Sequence, residues 1–266
     1  GRSMAVAPWM VTLNNNKLLG ALARPVIDVS YCCASASATP NRWQEDMLSR
    51  PMTVEEIHEM VDAFGKTAKL LREAGVDGVE IHAVHEGYLL DQFTMANWNH
   101  RTDQYGGSFE NRFRFPVEIV QEIKRQAGAD FPVSLRYSVV SKTKAWGKGA
   151  MPYETDFEEF GRDMAESEKA VKYLEEAGYD MFNCDNGTYD AWYWAHPPQY
   201  MPDNCNLEYV EHIKNFTDKP VACAGRMDPV KAAEEIAAGR LDAVAIGQLP
   251  EVFDGPVQPG HLLAGH

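Results

Sequence analysis

Residues 77–112 read DGVEIHAVHEGYLLDQFTMANWNHRTDQYGGSFENR and carry the strongest fold signal in the chain. They open on a short apolar-rich segment, Val79 to His82, which predicts a β-strand. Two histidines, a glutamate and a tyrosine follow this strand, before a polar loop and a new helix. In a parallel α/β protein, polar residues at the carboxyl end of a strand are typical of a functional site. We therefore expect the chemistry of this protein at residues 82–88.

The segments on either side of this stretch predict helices. Thr53 and Glu56 form a capping-box pattern at the start of an amphipathic helix that ends near Gly75. Ser108 is placed to cap a second helix, which closes near Gly128. A helix, a strand and a helix thus follow one another in this region.

The strand-helix unit repeats along the rest of the chain. Further strands are predicted at 132–138, 181–185, 220–225 and 243–247, with helices near 156–177, near 207–216 and from Asp228-Pro229. About five such rounds imply a parallel α/β sheet, most simply part of a (β/α)8 TIM barrel. We expect one domain over residues 1–266: a long loop excursion at 1–52, the repeated units at 53–250 and a tail at 251–266.

The overall composition restricts the class of protein. The chain has 266 residues, 45% of them hydrophobic, and a formal net charge of -14, which disfavours nucleic acid and anionic membranes as partners. The five cysteines have neither a disulfide nor a metal-site spacing. No apolar stretch approaches the ~20 residues of a membrane span, and no signal pattern opens the chain. These features predict a cytoplasmic protein.

The ordered motifs EIHAVHEGYLLDQF and NHRTDQYGGSFENR resemble the signature of the old yellow enzyme family of flavin-dependent ene-reductases. Three further motifs, PVSLRYS, DAWYWAHPP and CAGRMD, are most similar to its anaerobic branch of 2-enoate reductases, 2,4-dienoyl-CoA reductases and bile-acid 3-oxo-4-ene oxidoreductases. The similarity extends from Gly1 to the region of Pro250. It implies an NAD(P)H-dependent flavin oxidoreductase, with FMN as cofactor and NADH or NADPH as electron donor.

The resemblance also implies the reaction. An activated C=C bond of an enone, enoate, enoyl-CoA or steroid-like substrate is reduced, or formed in the reverse direction. Hydride reaches the β-carbon from the flavin, while a protein acid protonates the α-carbon. The substrate carbonyl must be polarised by donors, because negative charge develops on its oxygen.

Three residues of the first motif match the family's reacting groups. His82 and His85 correspond to its carbonyl-binding pair, and Tyr88 to the tyrosine near the flavin, which is our candidate proton donor. A phenol can protonate a basic enolate carbon when it is well positioned. Glu86 is an additional residue between His85 and Gly87, so the histidines and Tyr88 are shifted relative to the usual frame.

Residues of three other segments match the family's flavin contacts. Arg136 corresponds to the residue beside the N1 and C2 carbonyl edge of the isoalloxazine. The CAGRMD turn corresponds to a phosphate-binding turn. The second phosphate loop, usually Gly-Arg, reads Gly-Gln and lacks that positive charge. The residues assigned to FMN are Arg136, Ala224, Gly225, Arg226, Gly247 and Gln248.

The segment from Asp190 to Tyr200 is dense in aromatic residues. Either it packs as a loop, or it forms a wall for a flat apolar substrate, with His196 as an alternative acid. The residues that this second interpretation assigns to the substrate are Tyr189, Trp192, Tyr193 and Trp194.

Three lysines, Lys142, Lys144 and Lys148, follow the strand at 132–138. They are suited to meet a CoA phosphate or a carboxylate, but a solvated charge run explains them more simply.

Gly1-Arg2 corresponds to a family Gly-Arg just after the third barrel strand. The resemblance therefore implies a partial barrel that lacks about the first three strands, with FAD and a 4Fe-4S cluster only in the full-length parent. Such a chain is expected to bind flavin poorly and turn over little. A homo-oligomer is compatible with the resemblance.

Two alternatives stay open. One is a flavin-free TIM-barrel lyase or metal-dependent hydrolase that uses His82, His85 and His196, although a third ligand at suitable local spacing is missing and we predict no metal site. The other is a non-catalytic fragment. The exact substrate, the preferred nicotinamide and the direction of the reaction are not specified by the sequence.

Overall fold

The computed structural model describes residues 33–41 and 44–246. In chain order the strands are β1 (Ala34–Ser35), β2 (Pro40–Asn41), β3 (Gln44–Leu48), β4 (Arg50–Pro51), β5 (Val79–Val84), β6 (Val133–Ser138), β7 (Thr143–Ala145), β8 (Lys148–Gly149), β9 (Met181–Asp185), β10 (Val221–Ala224) and β11 (Ala243–Ala245). The helices are α1 (Val54–Glu73), α2 (Leu89–Thr94), α3 (Phe109–Arg112), α4 (Arg114–Ala127), α5 (Met164–Ala177), α6 (Trp192–Ala195), α7 (Leu207–Lys214) and α8 (Pro229–Ala237).

A parallel five-stranded sheet in the order β11-β10-β9-β6-β5 forms the centre of the molecule. The register places His82 opposite Arg136, and Arg136 opposite Asn183. Polar side chains of three strands therefore meet near the carboxyl ends of these strands, as expected where parallel strands end together. The predicted α/β order and parallel sheet are confirmed.

Local capping signals fix the main helices. The Thr53 hydroxyl accepts from the Glu56 backbone N–H at 3.2 Å, and the Glu56 carboxylate accepts from the Thr53 N–H at 2.9 Å, which completes the predicted capping box. Ser108 caps α3, which continues into α4 after Phe113, and Asp228 caps α8. The apolar faces of these helices bury one extended core against the sheet. None of the helices in the described residues has the length and apolarity that a membrane crossing needs.

The helix predicted near 156–177 begins only at Met164, so its predicted start is wrong. Asp163 is the residue that caps it, accepting from the Glu166 N–H at 2.8 Å. Upstream, the Glu159 carboxylate accepts from the backbone of Lys142 and Thr143, which ties this segment to the β7-β8 hairpin. Side chain to backbone bonds of this kind compete with helix formation.

The opening segment also differs from the prediction. Within the described part of residues 1–52, β1 pairs with β4 in parallel and β2 pairs with β3 antiparallel, where a long loop was predicted. The short helix α2 was not predicted either, because all six of its residues are buried and it has no apolar period.

Candidate active site

The turn after β5 is held by side chains of α2. Glu86 and Gly87 both adopt positive φ, 57° and 76°, a conformation that is uncommon for glutamate. The Gly87 N–H donates to Asp91 Oδ2 at 2.8 Å, and Gln92 Nε2 donates to the Gly87 carbonyl at 2.7 Å. These buried bonds set the position of Tyr88, the N-cap of α2.

His85 is almost completely buried, and its Nε2 lies 2.8 and 3.0 Å from the two oxygens of Asp185. A nitrogen that faces a carboxylate in this way carries the proton. Asp185 also forms an ion pair with Arg136, which in turn donates to Asn183 Oδ1 at 2.7 Å. His85 Nδ1 is buried and has no partner among the described residues. That atom is the one through which His85 can meet a ligand.

Tyr88 is hydrogen-bonded to a residue far away in the chain. The Tyr189 hydroxyl donates to the Tyr88 oxygen at 2.8 Å, and the two rings pack edge to face at 5.4 Å. Burial is the largest cause that raises the pKa of Tyr88. Tyr88 therefore stays protonated at neutral pH, and its own proton is not used in the bond with Tyr189.

His82 packs between the other two predicted reacting residues. Its ring lies 5.0 Å from that of His85 and 4.9 Å from that of Tyr88. Although the residue is exposed overall, partial desolvation and then the charge of His85 lower the pKa of His82. The structure thus brings His82, His85 and Tyr88 together at the end of β5.

The additional residue Glu86 is buried and connects the turn to the aromatic segment. Its Oε1 lies 2.9 Å from His196 Nε2 and 3.6 Å from His85 Nε2, which are ion-pair distances without hydrogen-bond alignment. Burial acts to raise the pKa of Glu86, but the contact with His196 and the charge of His85 outweigh it and leave that pKa lowered. The contact with Glu86 in turn raises the pKa of His196.

The predicted aromatic wall divides into two parts. Trp192 stacks on Tyr189 at 5.2 Å and on the His196 ring at 4.2 Å, so these residues line the same side as Tyr88. Trp194 donates to the Ala150 carbonyl at 2.6 Å instead, and it packs with Tyr193 in a separate small cluster. Tyr189 and Trp192 are the members beside the histidines.

Lys142 is buried, although a solvated charge was expected there. Its ammonium lies 3.6 Å from the centroid of the Tyr209 ring and 4.7 Å from that of Trp194. Lys144 pairs with Glu154 at 2.6 Å. Lys142 therefore supports the aromatic segment from behind.

The CAGRMD turn has a conformation suited to an anion. Gly225 and Arg226 both have positive φ, 105° and 47°, and a Cβ at Gly225 would fall 2.5 Å from Asn206 Nδ2. Arg226 pairs with Asp203 through its terminal nitrogen, while its buried Nε has no partner among the described residues. An unpaired N–H beside a glycine turn fits a phosphate group.

The other residues assigned to FMN are placed only in part. Ala224 is buried at the end of β10, and Arg136 lies on the sheet with its side chain 13% exposed. Gly247 and Gln248 lie outside the described residues.

Asp185 and Asn183 are site residues that the sequence reasoning missed. Both lie at the carboxyl end of β9, and the rule that identified His82 at the end of β5 would have found them. His85 and His196 each face a carboxylate, and no metal-binding group of three or more His, Cys, Asp or Glu side chains occurs within residues 33–41 and 44–246.

The chain matches the NADH:flavin oxidoreductase / NADH oxidase family over residues 19–249. It is similar to cinnamate reductase from Clostridium sporogenes, with 51% identity over 221 residues, 83% of this chain and 33% of that protein. It is also similar to NADH oxidase from Thermoanaerobacter brockii, with 35% identity over 75% of this chain and 28% of that protein. The chain spans a third or less of the length of these curated relatives.

Among solved structures, the complex of 2-naphthoyl-CoA reductase with 2-naphthoyl-CoA has a TM-score of 0.67 and 27% identity, over 80% of this chain and 30% of that one. Morphinone reductase has a TM-score of 0.58 at 23% identity. These likenesses confirm the predicted fold class, an α/β chain that carries part of a TIM barrel.

Proposed function

The chain belongs to the NADH:flavin oxidoreductase / NADH oxidase family, and we propose that it carries the reacting side chains of an FMN-dependent oxidoreductase that reduces a carbonyl-conjugated C=C bond. NADH or NADPH is the electron source. The observation that carries the proposal is the position of Tyr88, whose hydroxyl accepts from Tyr189 and whose ring packs against His82. His82 in turn packs against His85. A neutral acid next to two imidazoles meets the needs of α-carbon protonation and carbonyl polarisation.

The substrate class that we propose is an aryl enoate. We call residues 85–88 the reacting turn. Tyr189 and Trp192 offer a stacked aromatic surface beside it, which suits a flat ring. The 51% identity to a cinnamate reductase supports the same class.

FMN, when bound, supplies the hydride that adds to the β-carbon. Arg226 Nε and the turn at Gly225 would hold its phosphate. Arg136 would lie against the pyrimidine edge of the isoalloxazine, where a guanidinium suits the developing negative charge.

Tyr88 is the proposed proton donor. Its O–H bond breaks as the proton moves to the α-carbon, and the electron pair left there by hydride addition forms the new C–H bond. The Tyr189 hydroxyl stabilises the resulting phenolate, because it already donates to the Tyr88 oxygen. Solvent then restores the proton to Tyr88.

His82 and His85 would polarise the substrate carbonyl. Because His85 Nε2 is bonded to Asp185, only Nδ1 can reach a ligand. Donation from Nδ1 to a carbonyl oxygen requires a proton on that nitrogen as well as on Nε2, a form whose charge Asp185 would balance.

The test uses the full-length protein loaded with flavin, which we call the flavin-loaded protein. It is reduced anaerobically by light and then mixed with trans-cinnamate, an enone or an enoyl-CoA. We expect oxidised flavin to return with cinnamate, together with one equivalent of the saturated acid. A flavin that stays reduced with every alkene contradicts the proposal.

A further inference from the structure

Glu86 contacts the segment that follows β9 through its backbone and through its carboxylate. Its carbonyl accepts from the Tyr189 N–H at 3.2 Å, its backbone bridges Thr188 in parallel, and its carboxylate approaches His196 at 2.9 Å. The residues from Thr188 to His196 include Tyr189 and Trp192, and we call them the aromatic loop. Glu86 therefore connects the reacting turn to the aromatic loop, in addition to the hydrogen bond between Tyr88 and Tyr189.

The conformation of Glu86 indicates that a glutamate at this position does more than form the turn. Its φ of 57° costs free energy for a residue with a Cβ, and a carboxylate that is 1% exposed loses most of its hydration. Strain and burial of this kind persist only when surrounding contacts hold the residue in place. The contact that compensates a buried carboxylate most directly is the one with a cationic His196.

His196 differs from His85 in its access to solvent. Its side chain is 53% exposed, whereas that of His85 is 1% exposed. His196 can therefore exchange its proton with water while it remains against Glu86. Trp192 stacks on the same imidazole ring at 4.2 Å, so the position of His196 and that of the aromatic wall are linked.

We propose that Glu86 and His196 form an ion-pair latch that holds the aromatic loop over the reacting turn and thereby sets the affinity for a flat aryl substrate. Glu86 is a positioning residue in this proposal, which rests on the proposed function for its substrate. When His196 loses its proton, the latch weakens, and Tyr189 and Trp192 are held less firmly beside Tyr88.

The charged groups around His196 favour its protonated form. Glu86 acts most strongly, Asp185 adds to it from the end of β9, and Arg136 on β6 opposes both. The pKa of His196 is raised, so the latch is present at low pH and is lost as the pH rises through this raised value.

The groups around Glu86 keep it charged over the same range. Besides His196, the imidazoles of His85 and His82 act on its carboxylate, and the pKa of Glu86 is lowered as a result. His196 is thus the member of the latch that titrates near neutral pH.

The test compares the flavin-loaded protein with Glu86→Gln, which keeps the shape and removes the charge. We expect the KM for trans-cinnamate to rise about tenfold at pH 7, with kcat changed less than about twofold, because one charge-assisted contact is lost without touching Tyr88. In the unsubstituted protein the KM should rise with pH through the titration of His196, and in Glu86→Gln it should not depend on that titration. An unchanged KM and an unchanged pH profile overturn the proposal.

Two measurements need no substrate and separate this proposal from the proposed function. Imidazole NMR should show the His196 midpoint falling in Glu86→Gln toward the ordinary value of about 6.5. Hydrogen exchange at the Tyr189 amide should become faster in the same variant. If no alkene reoxidises the flavin, the proposed function fails and these two readings alone decide the latch: both changes support it, and the absence of either overturns it.

Two further variants serve as controls. Glu168→Gln removes the carboxylate of another glutamate–histidine pair, in which Glu168 Oε1 lies 2.7 Å from His212 Nε2 and both side chains are partly exposed. This variant should leave the KM and its pH profile unchanged. If Glu86→Gln does not fold, Glu86→Asn replaces it, because asparagine tolerates a positive φ. His196→Gln should reproduce the raised, pH-independent KM from the other side of the latch.

Discussion

The hydroxyl of Tyr88 is the atom on which the proposed chemistry depends most. Its oxygen accepts from the Tyr189 hydroxyl, so it has one fixed hydrogen-bond donor and its proton is not used in that bond, while the Tyr88 ring packs against His82. Two tyrosines in contact can divide the work of an acid, one giving the proton and the other stabilising the phenolate.

Tyr88→Phe should separate the two halves of the reaction. Without the hydroxyl, reoxidation of reduced flavin by cinnamate should slow about 10²-fold or more, because general acid catalysis is lost. Flavin reduction by NADH or NADPH should keep its rate. Stopped-flow absorbance follows both steps, with Tyr189→Phe as a matched variant that removes only the supporting donor and should cost less. Equal slowing of both steps in Tyr88→Phe would contradict the assignment.

Arg162 and Asp91 form a fully buried ion pair beneath the reacting turn. Arg162 also donates to Thr94 Oγ1 at 2.6 Å and to the Ser138 carbonyl at 2.9 Å, which links α2 to the end of β6. Asp91 is the same residue that binds the Gly87 N–H. The stability of the fold and the shape of the turn therefore depend on one pair of charges.

Arg162→Met should lower the free energy of unfolding by about 3–5 kcal/mol, since it leaves the Asp91 carboxylate buried without a counter-charge. Urea denaturation measures the change. The exposed pair of Arg125 with Glu122 provides the control, because Arg125→Met should change the free energy of unfolding only slightly. A loss of that small size for Arg162→Met would show that Asp91 is hydrated in the folded protein.

At the scale of elements, the β7-β8 hairpin and α6 are joined through Lys142. Its chain enters the hairpin with a positive φ of 58°, and its ammonium rests on the rings of Trp194 and Tyr209. Burial lowers the pKa of Lys142 to about 8. The charged form of Lys142 is therefore less favourable in the folded protein than in the unfolded chain.

Lys142→Met should stabilise the protein by on the order of 2 kcal/mol at pH 7, because methionine fills the same space without a desolvated charge. Between pH 8 and the ordinary lysine pKa of about 10.4, the unfolded chain binds more protons at this site than the folded protein does. The stability of the parent should therefore rise with pH relative to the variant, and the difference should shrink toward pH 10. Thermal or urea unfolding at pH 7, 8.5 and 10 checks this; a difference that does not vary with pH would contradict the burial of a charged Lys142.

The segment between β6 and α5 shows why helix starts are hard to predict. Residues 156–163 contain acidic residues that favour a helix, yet Glu159 binds the backbone of the β7-β8 hairpin and Arg162 is drawn into the core. Both interactions join residues that are distant along the chain. Local helix propensity does not include such long-range interactions. The helix therefore begins later than predicted, after the cap provided by Asp163.

At the scale of the whole molecule, the number of strands in the central sheet determines how many flavin contacts the chain provides. Within the described residues, β5 and β11 each pair on one side only. Unpaired strand edges expose backbone groups that favour association with other chains.

We expect residues 1–266 expressed alone to retain less than one FMN per chain and to associate as the concentration rises. The flavin spectrum after desalting and light scattering over a concentration series are the measurements. A monomeric chain with stoichiometric FMN that reduces an enone with NADH would contradict this expectation.

The sequence by itself determined the main helices and the parallel strands, and it predicted a site at the end of β5. Capping residues such as Thr53, Ser108 and Asp228 act within one turn of helix, so their effect can be read from neighbouring residues. The same is true of the histidines and Tyr88 at the end of β5, because a strand and the residues that follow it are adjacent in the chain. The family resemblance rests on the same local motifs.

Only the tertiary structure decided how these residues are paired. Tyr88 meets Tyr189 across 101 positions, His85 meets Asp185 across 100, and Glu86 meets His196. Parallel register brings the carboxyl ends of β5, β6 and β9 close together. Because these polar groups are buried there, each of them needs a hydrogen-bond or ion-pair partner among its neighbours. Neither register nor burial is a property of a local stretch of sequence, which is why the partners of Asp185 and the role of Glu86 emerged only from the fold.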